Sequence, residues 1–190
     1  MAVPALDGEF LPAGRHPCTV DEVEAAFVTN AHFASSISRA PLWEQHWATA
    51  LGLLASAVRV HAAWISGSFV SSKKNPRDID VTFIVNEADW ATRSAAERQV
   101  VEAFVRRVLD PTSGKVVPAH GLLVDSYIIP WAPHLGRRGH TPDYDRYLSD
   151  RGYWDDWWSR RRVSPKGAPA VPEDAHPTRG YLEVSISDYV

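Results

Sequence analysis

Apolar residues recur at helical spacing in some stretches of the chain and at strand-like spacing in others, and this pattern sets the expected order of elements. Thr19, Val20, Asp21 and Glu22 form a capping box, in which the Thr19 hydroxyl and the Glu22 carboxylate serve the free amides of a helix start. Val23, Ala26, Phe27 and Asn30 follow at helical spacing, which predicts a short helix ending by about residue 33. Pro41 suits the first turn of a second helix. Trp43, Trp47, Ala50, Leu51, Leu54 and Val58 mark its buried stripe to about residue 60. The period then changes sharply. Residues 62–66 read as a short buried strand, 67–68 as the turn that ends it, 69–77 as a polar, basic loop, and 78–85 as a second strand rich in β-branched residues.

Ser94 to Glu97 make a second capping box. Glu97, Val100, Val101, Phe104, Val105 and Val108 continue it as an amphipathic helix ending near Asp110 and Pro111. Residues 121–129 alternate as a third strand, with Leu122, Val124, Ser126 and Ile128 on one face and Leu123, Asp125, Tyr127 and Ile129 on the other. Beyond Pro130 the pattern weakens. Residues 144–162 read as a helix that Gly152 can break, 163–177 as a proline-rich loop, and 182–186 as a closing strand. The prolines and glycines of residues 1–18 read as an extended arm. The expected fold is α/β (α+β): one domain with a small mixed β-sheet flanked by helices, a core over 19–130, and a helical, aromatic extension over 131–190.

Composition narrows this only modestly. A length of 190 residues suits one domain. The net charge of −3 lacks the strong basic bias of dedicated nucleic-acid domains. Charge is clustered, however, at Lys73, Lys74 and Arg77, at Arg137 and Arg138, and at Arg160 to Arg162. The single cysteine, Cys18, excludes an intrachain disulfide and a cysteine-based zinc site. No apolar run is long enough to span a membrane, and residues 1–10 lack the pattern of a secretory signal, so a cytoplasmic protein is expected.

The chemistry concentrates in Ile65-Ser66-Gly67-Ser68 and, after nine intervening residues, Asp78-Ile79-Asp80-Val81. On a strand the pleat points Asp78 and Asp80 to one face. Two carboxylates so close repel each other, and burial penalises both. A divalent cation relieves both costs, and magnesium favours one or two carboxylates completed by water and phosphate oxygens. Glycine at position 67 permits close approach of the backbone to an anion, and the Ser68 hydroxyl can hold a phosphate oxygen. Lys73, Lys74 and Arg77 can add positive charge, although each alone is more commonly a solvated loop residue. Asp125, mid-strand among apolar neighbours, is the candidate third carboxylate; its alternative role is to cap a neighbouring turn. The eight histidines show no paired ligand spacing and read as structural or surface residues. Tyr153, Trp154, Trp157 and Trp158 read first as packing and second as a base-stacking surface. Arg160 to Arg162 read first as a solvated helix end and second as an RNA-backbone contact. Glu183 reads as structural.

Gly67-Ser68, a gap of about ten residues, Asp78-x-Asp80 on a strand, and Asp125 on a later strand resemble the DNA-polymerase-beta-like nucleotidyltransferase superfamily. The resemblance covers residues 60–130. The longer string Gly67-Ser68-Phe69-Val70, Lys73, Pro76, Asp78-Ile79-Asp80 is similar to a group of small, mostly uncharacterised prokaryotic members. So is the opening Leu11-Pro12-x-Gly14-x-His16-Pro17-x-Thr19-x-Asp21-Glu22-Val23. The resemblance implies that Gly67 and Ser68 bind a nucleoside triphosphate such as ATP, that Asp78 and Asp80 carry magnesium or manganese, and that Asp125 joins the catalytic metal. The implied reaction moves a nucleoside monophosphate onto a hydroxyl of RNA, protein or a small molecule. It also implies a link with toxin–antitoxin or defence systems, and so an antitoxin partner. No accessory domain for tRNA, aminoglycoside or primer is recognisable, so no acceptor carries over. The alternatives are a non-catalytic nucleotide-binding module and a protein-interaction module, antitoxin-like, that keeps the fold.

Overall fold

The computed structural model describes residues 3–133, 141–165 and 167–188, without the side chains of Trp90 and Ala91. Its centre is a five-stranded mixed sheet in the order β1 (Gly14–Cys18), β7 (Gly180–Ser185), β2 (Val60–Ser66), β3 (Ile79–Asn86), β6 (Val124–Trp131). β2 runs antiparallel to both neighbours, whereas β1 pairs β7, and β6 pairs β3, in parallel. A separate two-stranded hairpin joins β4 (Arg107–Leu109) to β5 (Val116–Pro118). The fold is therefore mixed α+β.

Helices cover both faces. α1 (Val20–Phe27) starts at the Thr19 capping box. α2 (Arg39–Pro41) passes through a π-helical segment, Leu42–Trp47, into α3 (Ala48–Ala57). A short α4 (Ala88–Ala91) precedes α5 (Ala95–Val105), which opens on the Ser94 capping box. The core of the first face gathers Ala63, Ile65, Ile79, Val81, Phe83, Val124 and Leu182 under these helices. Stacked rings run through it, Phe69 on Trp43, Trp43 on Trp47 and Trp47 on Phe83, at centroid separations of 5.8, 5.1 and 5.6 Å. The opposite face, with Trp64, Ile84, Ile129 and Tyr181, packs against Tyr147 and Trp158 of α6 (Pro142–Ser159).

The structure moves several expected boundaries. The arm over residues 1–18 ends as β1, because its last residues find a parallel partner in β7. α1 stops at Phe27, and the turn to residue 33 is 3-10 helix. The helix expected over 41–60 starts at Arg39 and ends at Ala57, where Val58 is extended and leads into β2. The third strand runs Val124–Trp131 rather than 121–129. Val108 belongs to no helix. The chain turns extended at Arg106, and Val108 pairs with the β-branched Val117, so the helical spacing of Val108 is coincidental; it is 37% exposed. Gly152 does not break α6. Arg137 and Arg138, with His134 and His140, lie outside the described residues. No described helix is long and apolar enough to cross a membrane.

Candidate functional site

Register brings the expected residues together. Asp80 sits directly opposite Ser66 on β2 and directly opposite Asp125 on β6, so the middle strand carries its carboxylate between the Gly67 turn and the third acid. Alternation along β3 buries Ile79 and Val81 in the first core and turns Asp80, with Thr82, to the α6 face. Trp158 marks that face. Its indole donates to Thr82 at 2.9 Å, and its carbonyl accepts from Ser66 at 3.3 Å and from Arg179 Nε at 3.2 Å. Asp78 stands one residue before the strand rather than on it.

Gly67 has φ +71°, and a Cβ there would lie 1.7 Å from Asp80 Oδ2. The Asp80 carboxylate thus rests against the turn, and only glycine leaves room for it. Burial first, then Asp78, then Asp125, push the Asp80 carboxyl up to about 7, against the opposing pull of Arg179 and Lys73. Burial and then Asp125 also raise Asp78, opposed by Lys115, Lys73 and Arg77. Lys74 is not among the main charges acting on either acid. Neither Asp78 nor Asp80 has an ion-pair partner among the described residues.

Asp125 differs. Arg107 Nη1 holds it at 2.5 Å while Nη2 donates to Ser126 O at 2.9 Å, and the guanidinium lies 4.4 Å from the Tyr127 ring. Arg107 comes from β4 and Lys115 from the turn that follows, so the hairpin absent from the expected order supplies two cations that sequence reasoning missed.

The polar, basic loop expected over 69–77 is a loop with Lys73, Lys74 and Arg77 exposed, but its first residues are buried. Phe69 and Val70 are buried in the core and Ser71 is buried beside them. Arg39, 1% exposed, organises its backbone. Nη1 donates to Phe27 O and Phe69 O at 3.1 and 2.6 Å; Nη2 donates to Ser71 O and Lys73 O at 2.8 and 2.7 Å. Its guanidinium also stacks 3.7 Å from the Phe33 ring. Burial without an acidic partner lowers its pKa to about 10. No sequence pattern around Arg39 signals this role, because its partners are carbonyls, which every residue has.

Whether these groups suit a divalent cation turns on the donors. Among the described residues no three His, Cys, Asp or Glu side chains converge as a ready-made metal cage. Asp78 and Asp80 nonetheless fit magnesium: two mutually repelling carboxylates, one of them costly to ionise, with no ion-pair partner among the described residues. Asp125 is committed to Arg107 and does not complete the set as it stands.

A sequence profile for a family of unknown function, DUF6932, matches residues 4–172. The chain belongs to that family. The match spans the first six strands and α6, and so includes Gly67, Ser68, Asp78, Asp80, Arg107 and Asp125 but not Arg179. No curated protein and no solved structure matches.

Proposed function

We propose that this DUF6932 member is a metal-dependent nucleotidyltransferase with a polymerase-beta-like arrangement of its central strands. The observation that carries the reading is the placement of Asp80, in contact with Gly67, in register with Asp125, and next but one to Asp78. Asp78 and Asp80 would hold magnesium or manganese, which when bound would neutralise the paired acids and polarise the phosphates of a nucleoside triphosphate. Gly67 lets the Asp80 carboxylate rest against the turn, and the Ser68 hydroxyl, which no other described residue engages, supplies a donor to a phosphate oxygen. Lys73 and Arg77, with Lys115, offset negative charge around them. Asp125, once released from Arg107, would orient an acceptor hydroxyl.

The test is transfer of label from α-labelled nucleoside triphosphates to RNA, protein or small molecules in the presence of magnesium. Labelling that disappears in Asp78→Ala and Asp80→Ala is the expected result. Absence of labelling with every triphosphate and acceptor pool would overturn the enzymatic reading. The Arg107–Asp125 pair favours one second reading, a nucleotide-binding module without turnover, because it neutralises the acid that catalysis needs free. Saturable binding of triphosphate without labelling would select it.

A further inference from the structure

A cavity of about 520 Å³ opens where α6 ends, within the size range of small-molecule sites. Its walls include Phe10, Trp157, Arg160, Arg161, Arg162 and Arg179. Arg179 ties it to the candidate site, since its charge acts on Asp80 and its Nε shares the Trp158 carbonyl with Ser66. Three acids nearby are already engaged. Asp174 accepts from the amides of Val163, Ser164 and Val171 and from the Ser164 hydroxyl. Asp156 pairs with Arg160, and Glu9 lies 3.5 Å from Arg161. Arg179 has no ion pair among the described residues. The lining therefore holds four arginines and one acid, Asp174, with Arg160 and Arg161 offset in part by Asp156 and Glu9 from outside it.

Beyond the cavity the aromatic surface continues along α6. Tyr153, one helical turn from Trp157, stacks on it at 6.2 Å with the rings 8° from parallel. The two are 58% and 45% exposed. Trp154 and Trp158, in contrast, pack inward on Tyr127, and Trp158 is buried. Two stacked exposed rings cost hydration and stabilise no core. Arginines that pair with phosphates, beside open rings on which bases can stack, are the elements of a single-strand binding surface. A mononucleotide would use the cavity alone, whereas the Tyr153 ring outside it suits a second base.

We propose that the arginine cavity and the Tyr153–Trp157 platform bind single-stranded RNA and lead its end toward Asp80. That the strand is the acceptor rests on the nucleotidyl-transfer reading; that the surface binds a strand does not.

The experiment is fluorescence anisotropy of a fluorescein-labelled ten-nucleotide single-stranded RNA with the full chain, at low salt and without divalent metal. Saturable binding is expected, weakening as salt rises. Arg161→Ala should weaken it by roughly 3- to 10-fold and lessen the salt dependence by about one phosphate contact. Tyr153→Ala and Trp157→Ala should each weaken it by roughly 5- to 100-fold, with Trp157→Phe retaining most of the affinity. Thermal melting of each variant, unchanged from the parent, separates lost contacts from lost folding. Three results would overturn the proposal: no RNA binding; binding indifferent to all three alanine variants; or equal binding of a poly-glutamate peptide of matched charge. A nucleoside triphosphate that binds with the same dependence on Arg161 while RNA does not would make the cavity the donor's seat and overturn it as well. RNA binding without nucleotide labelling would sink the enzymatic reading and leave the strand surface standing. Labelling of an acceptor other than RNA, with no RNA binding, would do the reverse.

Discussion

Two segments bring positive charge to the same pair of acids, and they are built in opposite ways. The segment from Gly67 to Pro76 is anchored from below: Phe69 and Val70 are in the core and Arg39 binds three of its carbonyls. The β4–β5 hairpin is anchored from above: Val116 and Leu109 are exposed, and its link to the site is an Arg107–Asp125 pair that is itself partly exposed. The first is held by burial, which a ligand cannot easily rearrange. The second reaches the third acid through a charge contact in reach of water, which a cation or phosphate can exchange at modest cost. The difference assigns a fixed cradle to one side of the acids and an adjustable partner to the other.

The largest effect that would test the contrast is at Arg39. Replacing it with alanine removes a buried cation and strands four carbonyl groups, at a cost of about 3–5 kcal/mol. Urea denaturation should show that loss, and labelling activity should fall with it. Arg39→Lys should recover little, because one ammonium cannot reach carbonyls spread over a planar fork. Full stability in Arg39→Ala would mean that the cradle is held by Phe69 and Val70 alone.

Gly67→Ala comes next. The new methyl would meet Asp80 Oδ2 at 1.7 Å with the backbone in a region disfavoured for alanine. A loss of ~3 kcal/mol is expected, with at least a hundredfold fall in nucleotide labelling. A neutral outcome by thermal melting would show that Asp80 can leave the turn freely.

How much of this the chain announces depends on the range of the interactions. The helix starts at Thr19 and Ser94 were legible, since a capping box is closed within four residues. The strand carrying Asp80 was legible from its β-branched run, and Asp125 from its place in an alternating strand. β1 was missed because pairing with β7, more than 160 residues away, is what makes it a strand. The hairpin was missed because Val108 happens to continue the spacing of α5. With it went Arg107 and Lys115, whose relevance exists only once the hairpin folds over β6. Arg39 was invisible for a different reason, its contacts being to backbone carbonyls. The aromatic cluster of α6 was legible as a cluster, but its division into buried Trp158 and exposed Tyr153 and Trp157 required the helix to be placed.

Asp80→Asn gives an effect whose size depends on pH. The folded chain holds the Asp80 carboxyl at about 7, above its ordinary 3.8. The unfolded chain therefore ionises first, and wild-type stability is lost as pH rises from about 4 to about 7. Asparagine does not ionise. Its advantage should be absent at pH 4, grow through that window, and level off above it. Melting curves of the two proteins across pH, without metal, measure the difference directly. Magnesium should erase the advantage at pH 8 by stabilising the wild type alone, since only the wild type retains both carboxylates. An advantage that persists in saturating magnesium would mean that Asp80 is not a ligand.

The smallest change in stability is expected at Arg107, and it bears most directly on which side of the acids adjusts. Its pair with Asp125 is partly exposed, so Arg107→Met should cost less than about 1 kcal/mol. Its effect on cation affinity should run the other way. Removing the guanidinium takes away both the competitor for Asp125 and a positive charge beside the site, so magnesium should bind roughly 3- to 10-fold more tightly, read by titration calorimetry at pH 8. Labelling activity then decides what Arg107 is for. If it only occupies Asp125 until metal and triphosphate arrive, turnover at low magnesium should rise in the variant. If its guanidinium moves across to the triphosphate once Asp125 turns to the metal, magnesium should bind more tightly while turnover falls. Unchanged magnesium affinity would show that Asp125 takes no part in holding the cation, and would leave Asp78 and Asp80 as the whole of the carboxylate set.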